Sequence, residues 1–127
     1  MNAEPRNIRL YNKAIEIINL SRSISHYMGY DFSALQDDGN EHPSIYFTGD
    51  MIRHSDSLAP EIIKAENEVF QDDRLKYAQS VHNLTNRLYL TCERLERAES
   101  NGREFVQLLR TELKKFRRLH NRWMMTL

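Results

Sequence analysis

The chain has 127 residues, of which 40% are hydrophobic and 28% charged, and its formal net charge is zero. This composition is that of an ordinary globular domain and excludes the low-hydrophobicity, high-charge profile of a disordered chain. Four glycines and three prolines are too few for a fold of many short strands, and they favour a few long helices. We expect a single domain over residues 1–127.

Cysteine content and hydropathy indicate the cellular compartment of the protein. The single cysteine, Cys92, excludes an internal disulfide and is typical of a reducing compartment. The first residues are polar where a signal peptide needs an apolar stretch. No apolar run approaches the ~20 residues of a membrane helix. The sequence therefore predicts a cytoplasmic protein with no membrane partner.

A first helix is predicted over 7–28, because small and apolar residues recur there at spacings of three and four. These residues are Leu10, Ala14, Ile17, Ser21, Ile24 and Met28. Gly29 is the expected C-terminal stop of this helix. Residues 30–48 contain Asp, Asn, Gly and Pro without any period and predict a long loop, which in a compact domain is often functional.

A second helix is predicted over 49–70 and contains Pro60 near its middle. Its apolar stripe is expected to continue as far as Val69. Proline in a helix interior costs about 3 kcal/mol. Either the helix kinks at Pro60, or it begins at Ser57 and holds Pro60 in its tolerant first turn. Residues 71–73 then predict a short break in which two aspartates cap the next helix.

The third and fourth helices are predicted over 73–100 and 103–126, each with an apolar stripe that alternates steps of four and three. The stripe of the third is Tyr77, Val81, Leu84, Leu88, Thr91, Leu95 and Ala98, and that of the fourth is Val106, Leu109, Leu113, Phe116, His120, Trp123 and Leu127. Two such helices joined by a short link form an antiparallel hairpin. The predicted fold is therefore all-α, an antiparallel up-down four-helix bundle with a long loop between helices 1 and 2.

Charge is unevenly distributed along the chain. Residues 101–127 carry seven basic and two acidic residues, whereas the first hundred carry eleven and sixteen. The cations of the last helix follow two flanks of its stripe. Arg110, Lys114 and Arg117 lie on one flank, and Lys115, Arg118 and Arg122 lie on the other. These six residues predict contacts to the phosphates of RNA or DNA. Alternatively, they complement the helix dipole, or they meet an acidic protein partner in an adaptor.

Metal and triad chemistry are not predicted. No two histidines stand at i and i+4 as in a helical zinc pair, and the Glu-x-x-His motif of di-iron bundles is absent. We therefore predict no metal and no cofactor. His54, Ser55 and Asp56 are neighbours on one helix and point in different directions, which does not predict a triad. Cys92 is expected to be a small core residue and not a nucleophile.

One class of helical ribonuclease carries an Arg followed, after four to six residues, by a His on one helix. No Arg here meets that spacing, and only Lys76 and His82 fall within range, with the wrong cation. The sequence therefore predicts a protein that is not an enzyme. RNA cleavage that a His82→Ala variant abolished would contradict this prediction.

The end of the fourth helix predicts self-association. Met124 and Met125 point partly away from the apolar stripe to which His120 and Trp123 belong. Exposed Met and Trp beside Arg are common at protein interfaces. These four residues are the predicted oligomer interface.

A resemblance to a known family covers residues 51–102. Arg53 is followed by Ser57, Leu58 and Ile62 at the family's spacing, while Pro60 stands one place late. Glu61 and Lys64 replace the family's Asn and Glu, and Asn101-Gly102 resembles its turn. The stretch resembles the bacterial four-helix-bundle family first noticed in rRNA intervening sequences, which includes accessory proteins of diversity-generating retroelements.

The resemblance implies a non-enzymatic bundle that forms a ring-like homo-oligomer, often a pentamer. In some members of the family, the bundle binds nucleic acid or a reverse transcriptase. Together with the charge pattern, it predicts a non-catalytic accessory protein that self-associates and presents a basic C-terminal helix to nucleic acid. The alternative remains an adaptor or structural subunit that binds no nucleic acid.

Overall fold

The computed structural model describes residues 4–32, 37–40, 44–98 and 102–127. These residues form four helices and no strand: α1 (Ile8–Phe32), α2 (Ser44–Asn67), α3 (Gln71–Arg97) and α4 (Arg103–Met124). Both α1 and α3 pack against α2 and α4. The predicted all-helical class is therefore confirmed for the described residues. None of their helices has an apolar stretch long enough to cross a bilayer.

The core follows the predicted stripes most closely in α1 and α4. Every residue of the predicted α1 stripe is buried, and in the α4 stripe only Leu127 is partly exposed. In α3, Ala78 and Cys92 are fully buried, whereas Tyr77 and Leu84 from the predicted stripe are only partly buried. The buried face of α3 is therefore wider than a single stripe of steps of four and three.

The second helix runs without a break through Pro60, so a start at Ser57 is wrong. Pro60 lies on the exposed face of α2, while Met51 and Ile62 on either side of it are fully buried. Burial of each such side chain stabilises the fold by about 1.5–3 kcal/mol. The two buried anchors together offset the cost of about 3 kcal/mol of a proline inside a helix.

The predicted boundaries of the first loop are wrong at both ends. Helix α1 continues through Gly29 to Phe32, and α2 already begins at Ser44. Glycine is tolerated inside a helix at a cost of about 1 kcal/mol. The connection therefore spans 33–43, of which 33–36 and 41–43 lie outside the described residues. Within it, Gly39 has a φ of 82°, a left-handed conformation that suits glycine.

Contacts with α3 explain why α2 begins early. Ile45 and Phe47 are strand formers by propensity, but they are partly buried against the core. The guanidinium of Arg94 lies over the Phe47 ring at 5.2 Å. This tertiary packing outweighs the local strand preference of the segment.

The break between α2 and α3 falls at residues 68–70 and not at 71–73. Val69, predicted to extend the α2 stripe, is 81% exposed. Arg74 donates to the carbonyls of Glu68 at 3.3 Å and Val69 at 2.7 Å, and also to that of Leu127 at 3.1 Å. Its guanidinium therefore satisfies the carbonyls at the end of α2 and holds the end of α4 beside it.

The aspartates expected to cap α3 lie in its first turn instead. Phe70 is the N-cap residue, and its side chain makes no capping hydrogen bond. Asp72 and Asp73 are the acidic residues of the turn that follows. The capping prediction is therefore wrong, although both carboxylates lie where the positive end of the helix dipole favours them.

A buried carboxylate joins three elements at one end of the molecule. Glu66, near the end of α2, is only 3% exposed and accepts hydrogen bonds from the backbone N–H groups of Arg6 at 2.8 Å and Asn7 at 3.2 Å. It also accepts one from Trp123 Nε1 at 3.1 Å. The beginning of α1 and the ends of α2 and α4 therefore meet around one side chain.

Candidate functional site

One flank of α4 faces α3, and two of its three cations have partners there. Arg110 Nη1 donates to Glu96 Oε2 at 2.9 Å. Arg117 Nη2 donates to Asn86 Oδ1 at 2.9 Å, and its guanidinium lies over the Tyr89 ring at 4.4 Å. These contacts fix Arg110 and Arg117 against α3. These two of the six predicted phosphate ligands therefore have internal partners on α3.

The third cation of this flank, Lys114, is exposed. Its side chain has no ion pair with any acidic residue of the described segments. Lys114 therefore adds one unpaired cation to this flank but does not form a site with Arg110 and Arg117, because both of those guanidinium groups have partners on α3.

The other flank of α4 faces α1, and there the structure forms a basic cleft of about 280 Å³. Its lining consists of Arg9, Lys13, Lys115, Arg118, Leu119 and Arg122. Three of these cations were predicted from α4, but the two from the first turns of α1 were not. The signal that could have found Arg9 and Lys13 is their spacing of four, which places two cations on one helical face.

Two carboxylates lie beside the basic cleft, and both are hydrogen-bonded to its lysines. Lys13 Nζ donates to Glu112 Oε2 at 2.8 Å and to Glu16 Oε2 at 2.6 Å. Lys115 Nζ donates to Glu112 Oε1 at 3.2 Å. The bond to Glu112 raises the pKa of Lys13, and the same bond lowers the pKa of Glu112. Both groups therefore stay charged at neutral pH.

The three arginines of the basic cleft differ from its lysines. Arg9, Arg118 and Arg122 are exposed, and no acidic group in the described part of the chain pairs with them. A guanidinium presents a planar fork of N–H donors that matches phosphate geometry in a bidentate manner. The basic cleft therefore presents three guanidinium groups from two helices around one concave surface, and none of them has an acidic partner among the described residues.

Of the four predicted interface residues, two are buried within the chain itself. His120 and Trp123 are each 1% exposed, and His120 Nε2 bonds to the carbonyl of Ala78 at 2.9 Å. Burial lowers the pKa of His120. Met124 is partly buried, whereas Met125 is 90% exposed. Only the methionines therefore lie where a partner could contact them in the folded chain.

The residues considered for covalent catalysis lie in structural positions. Burial raises the pKa of the Cys92 thiol to about 12, so this thiol is protonated at neutral pH. The Ser55 hydroxyl shares a buried hydrogen bond of 2.7 Å with that of Ser21, while Asp56 is exposed. Among residues 4–32, 37–40, 44–98 and 102–127, no three His, Cys, Asp or Glu side chains converge as metal ligands.

No protein-family model, curated protein or solved structure matches the chain. The resemblance to the rRNA intervening-sequence family therefore stays a prediction. The same holds for the ring-like oligomer and the reverse-transcriptase partner that the resemblance implies.

Proposed function

We propose that this chain is a non-catalytic helical-bundle accessory protein that binds RNA or DNA by its phosphate backbone through the basic cleft. The observation that carries the proposal is the convergence of five cations from α1 and α4, three of which have no acidic partner in the described residues. Cations gathered on a concave surface release counterions when they contact phosphates, which makes such binding favourable at low salt.

We further infer that the four helices form an up-down antiparallel bundle. Contacts between opposite ends of consecutive helices support this topology. Arg6, just before α1, contacts Glu66 near the end of α2, and Glu96 near the end of α3 contacts Arg110 in α4. In such a bundle the beginning of α1 lies beside the end of α4. The cations of both helices there add to the same positive electrostatic potential.

Self-association is part of the proposal and is supported by exposed apolar side chains at one end of the bundle. Val69, Phe70 and Met125 are each more than two-thirds exposed, and Ile8 lies with Leu127 on the same end. Apolar groups of this size favour burial between subunits. Light scattering on the purified protein tests this point, with a mass above the 15.1 kDa of one chain expected. The predicted pentamer and the cytoplasmic location belong to the same proposal.

Fluorescence anisotropy with labelled single- and double-stranded RNA and DNA, at two salt concentrations, tests nucleic-acid binding. We expect affinity to fall steeply with salt. Arg118→Glu should weaken binding at least about tenfold, because it places a negative charge among the phosphate-binding cations. Lys114→Glu is the matched control, because it makes the same charge change at an exposed, unpaired position of the same helix. It should cost far less affinity.

Two outcomes would contradict the proposal. One is an equal loss of affinity in both variants, because the basic cleft would then have no special role. The other is no binding of any of the four nucleic acids at low salt. That result would favour the adaptor whose basic helix meets an acidic protein.

A further inference from the structure

The contact between α1 and α4 continues beyond the basic cleft towards the other end of the two helices. We call the line of contact between α1 and α4 the seam. The residues of α4 that follow this seam at spacings of three and four are Phe105, Leu108, Glu112, Lys115, Leu119 and Arg122. Two contacts cross the seam: Lys13 bonds to Glu112 near the middle of α4, and the ring of Tyr27 stacks on that of Phe105 near the beginning of α4. The basic cleft and this aromatic pair therefore belong to one continuous seam.

The aromatic pair is open to solvent. The ring centroids of Tyr27 and Phe105 are 5.2 Å apart and their planes differ by 1°. Tyr27 is 48% exposed and Phe105 is 37% exposed, and the neighbouring Leu108 is exposed as well. A ring pair of this kind presents an aromatic surface on which a further flat ring can stack.

The distance between the two features suits a short stretch of nucleic acid. At a rise of about 1.5 Å per residue, Phe105 lies roughly 20 Å along α4 from Arg118. The ion-pair cluster of Lys13, Glu16 and Glu112 lies between them, where its carboxylates are already hydrogen-bonded to lysines. A nucleic-acid strand that lies along the seam would therefore contact the cations of the basic cleft first, then the ion-paired cluster, and finally the exposed rings.

A single strand can use both features, whereas a duplex can use only the cations. In a duplex the bases are stacked and paired with each other, so only the phosphates can reach this surface. In a single strand the bases are free to stack on aromatic side chains while the phosphates follow a basic groove. The combination of a basic cleft with an exposed aromatic pair on the same seam is what favours a single strand.

We propose that the seam between α1 and α4 binds single-stranded nucleic acid, with phosphates in the basic cleft and a base stacked on the pair of Tyr27 and Phe105. This inference rests on the proposed function and adds the class of nucleic acid. Stacking tolerates any base, because every base has a π face. The expected ligand is therefore a single strand of RNA or DNA bound with little sequence preference.

Anisotropy with a labelled 12-nucleotide oligo(dT), an oligo(U) of equal length, an abasic oligonucleotide and a 12-base-pair duplex tests the inference. Tyr27→Leu and Phe105→Leu each keep an apolar side chain on the helix but remove the ring. Each should weaken binding of oligo(dT) and oligo(U) at least about fivefold. Binding of the abasic strand and of the duplex should not change. Tyr27→Phe should bind as the unaltered protein does.

Phe70→Leu is the control, because it removes a ring that is 71% exposed and lies outside the seam. Because Phe70 belongs to the apolar end proposed for self-association, the mass of this variant in light scattering is measured beside its affinity. Circular dichroism and urea unfolding establish that each variant is folded. Leucine variants that bind every probe normally, while Arg118→Glu still weakens binding, would overturn the single-strand inference and leave the basic cleft as a phosphate-binding site. A protein that binds none of the probes would overturn both proposals. Leucine variants that lose mass in light scattering without losing affinity would show instead that the rings form a contact between copies.

Discussion

The two flanks of α4 carry the same number of cations, yet they lie in opposite environments. On the flank that faces α3, Arg110 meets the carboxylate of Glu96 and Arg117 meets the ring of Tyr89. On the flank that faces α1, Arg118 and Arg122 line a cleft together with three further cations. On the α3-facing flank, Arg110 and Arg117 therefore have partners within the chain. On the α1-facing flank, several positive charges instead lie close together.

This difference shows that the role of a charged side chain depends on what the neighbouring helix presents to it. A guanidinium stacked on an aromatic ring and hydrogen-bonded to an amide contributes to folding. A guanidinium among like charges is mildly unfavourable for the folded chain and is compensated when a polyanion binds. We therefore expect the α3-facing flank to govern stability and the α1-facing flank to govern binding.

The largest effect that separates the flanks should come from Arg117→Ala. The substitution removes the contact with the Tyr89 ring and the hydrogen bond to Asn86. We expect the free energy of unfolding to fall by about 1–2 kcal/mol, as measured by urea unfolding followed by circular dichroism. Arg118→Ala should not lower the free energy of unfolding, because Arg118 is exposed among like charges and unpaired in the described structure. Equal stability losses in the two variants would break the distinction between the flanks.

A smaller effect on stability should follow from a change in pH, because His120 of α4 is buried. Burial lowers the pKa of His120, so between its native and unfolded pKa values the unfolded chain binds more protons. The free energy of unfolding therefore falls as the pH falls through that range, and the stabilisation is complete above the unfolded value of about 6.5. We expect a lower Tm at about pH 5.5 than at about pH 7.5.

His120→Gln should lose part of this pH dependence, because a glutamine amide can still donate to the Ala78 carbonyl but does not titrate. His54, whose pKa is also lowered by burial, should contribute to the dependence that remains. An unchanged pH profile in the variant would show that His120 does not titrate differently in the native and unfolded chains.

The smallest effect should be a change in nucleic-acid affinity when Glu112, the carboxylate beside the basic cleft that bonds to two of its lysines, loses its charge. Glu112→Gln removes a negative charge next to Lys13 and Lys115. Affinity for oligo(dT) at low salt should rise about twofold to threefold and the gain should shrink as salt increases, because salt screens exposed charges. Glu104→Gln, an exposed carboxylate in the first turn of α4, is the matched control. A fall in affinity would mean that Glu112 instead holds the lysines in position for binding.

Much of the fold could be predicted because burial repeats with the helical period. The stripes of α1 and α4 were predicted almost residue by residue, and Cys92 was placed in the core. The boundaries were less predictable. Packing against Arg94 keeps Phe47 in a helix despite its strand propensity. Val69 fits the helical period but lies in the turn between α2 and α3, where the chain has already left the helix.

The candidate site was predictable only in part, since a site that spans two helices cannot be found from the pattern of one. The three cations that α4 contributes to the basic cleft were predicted from the charge of that helix. Arg9 and Lys13 were missed because they lie about a hundred residues away in the sequence. The exposed pair of Tyr27 and Phe105 was missed because its two rings likewise come from different helices.

By itself, the sequence determined that the described chain is helical, which residues form the buried stripe of α1 and nearly all of that of α4, and that its last helix is basic. These properties follow from local periodicity and composition, which each segment carries within itself. Only the tertiary structure decided which flank of α4 faces Glu96 and Tyr89 and which faces Arg9 and Lys13. The physical reason is that the rotation of a helix about its own axis is set by how its side chains pack against both neighbours at once, and one helix does not encode the surfaces of the others.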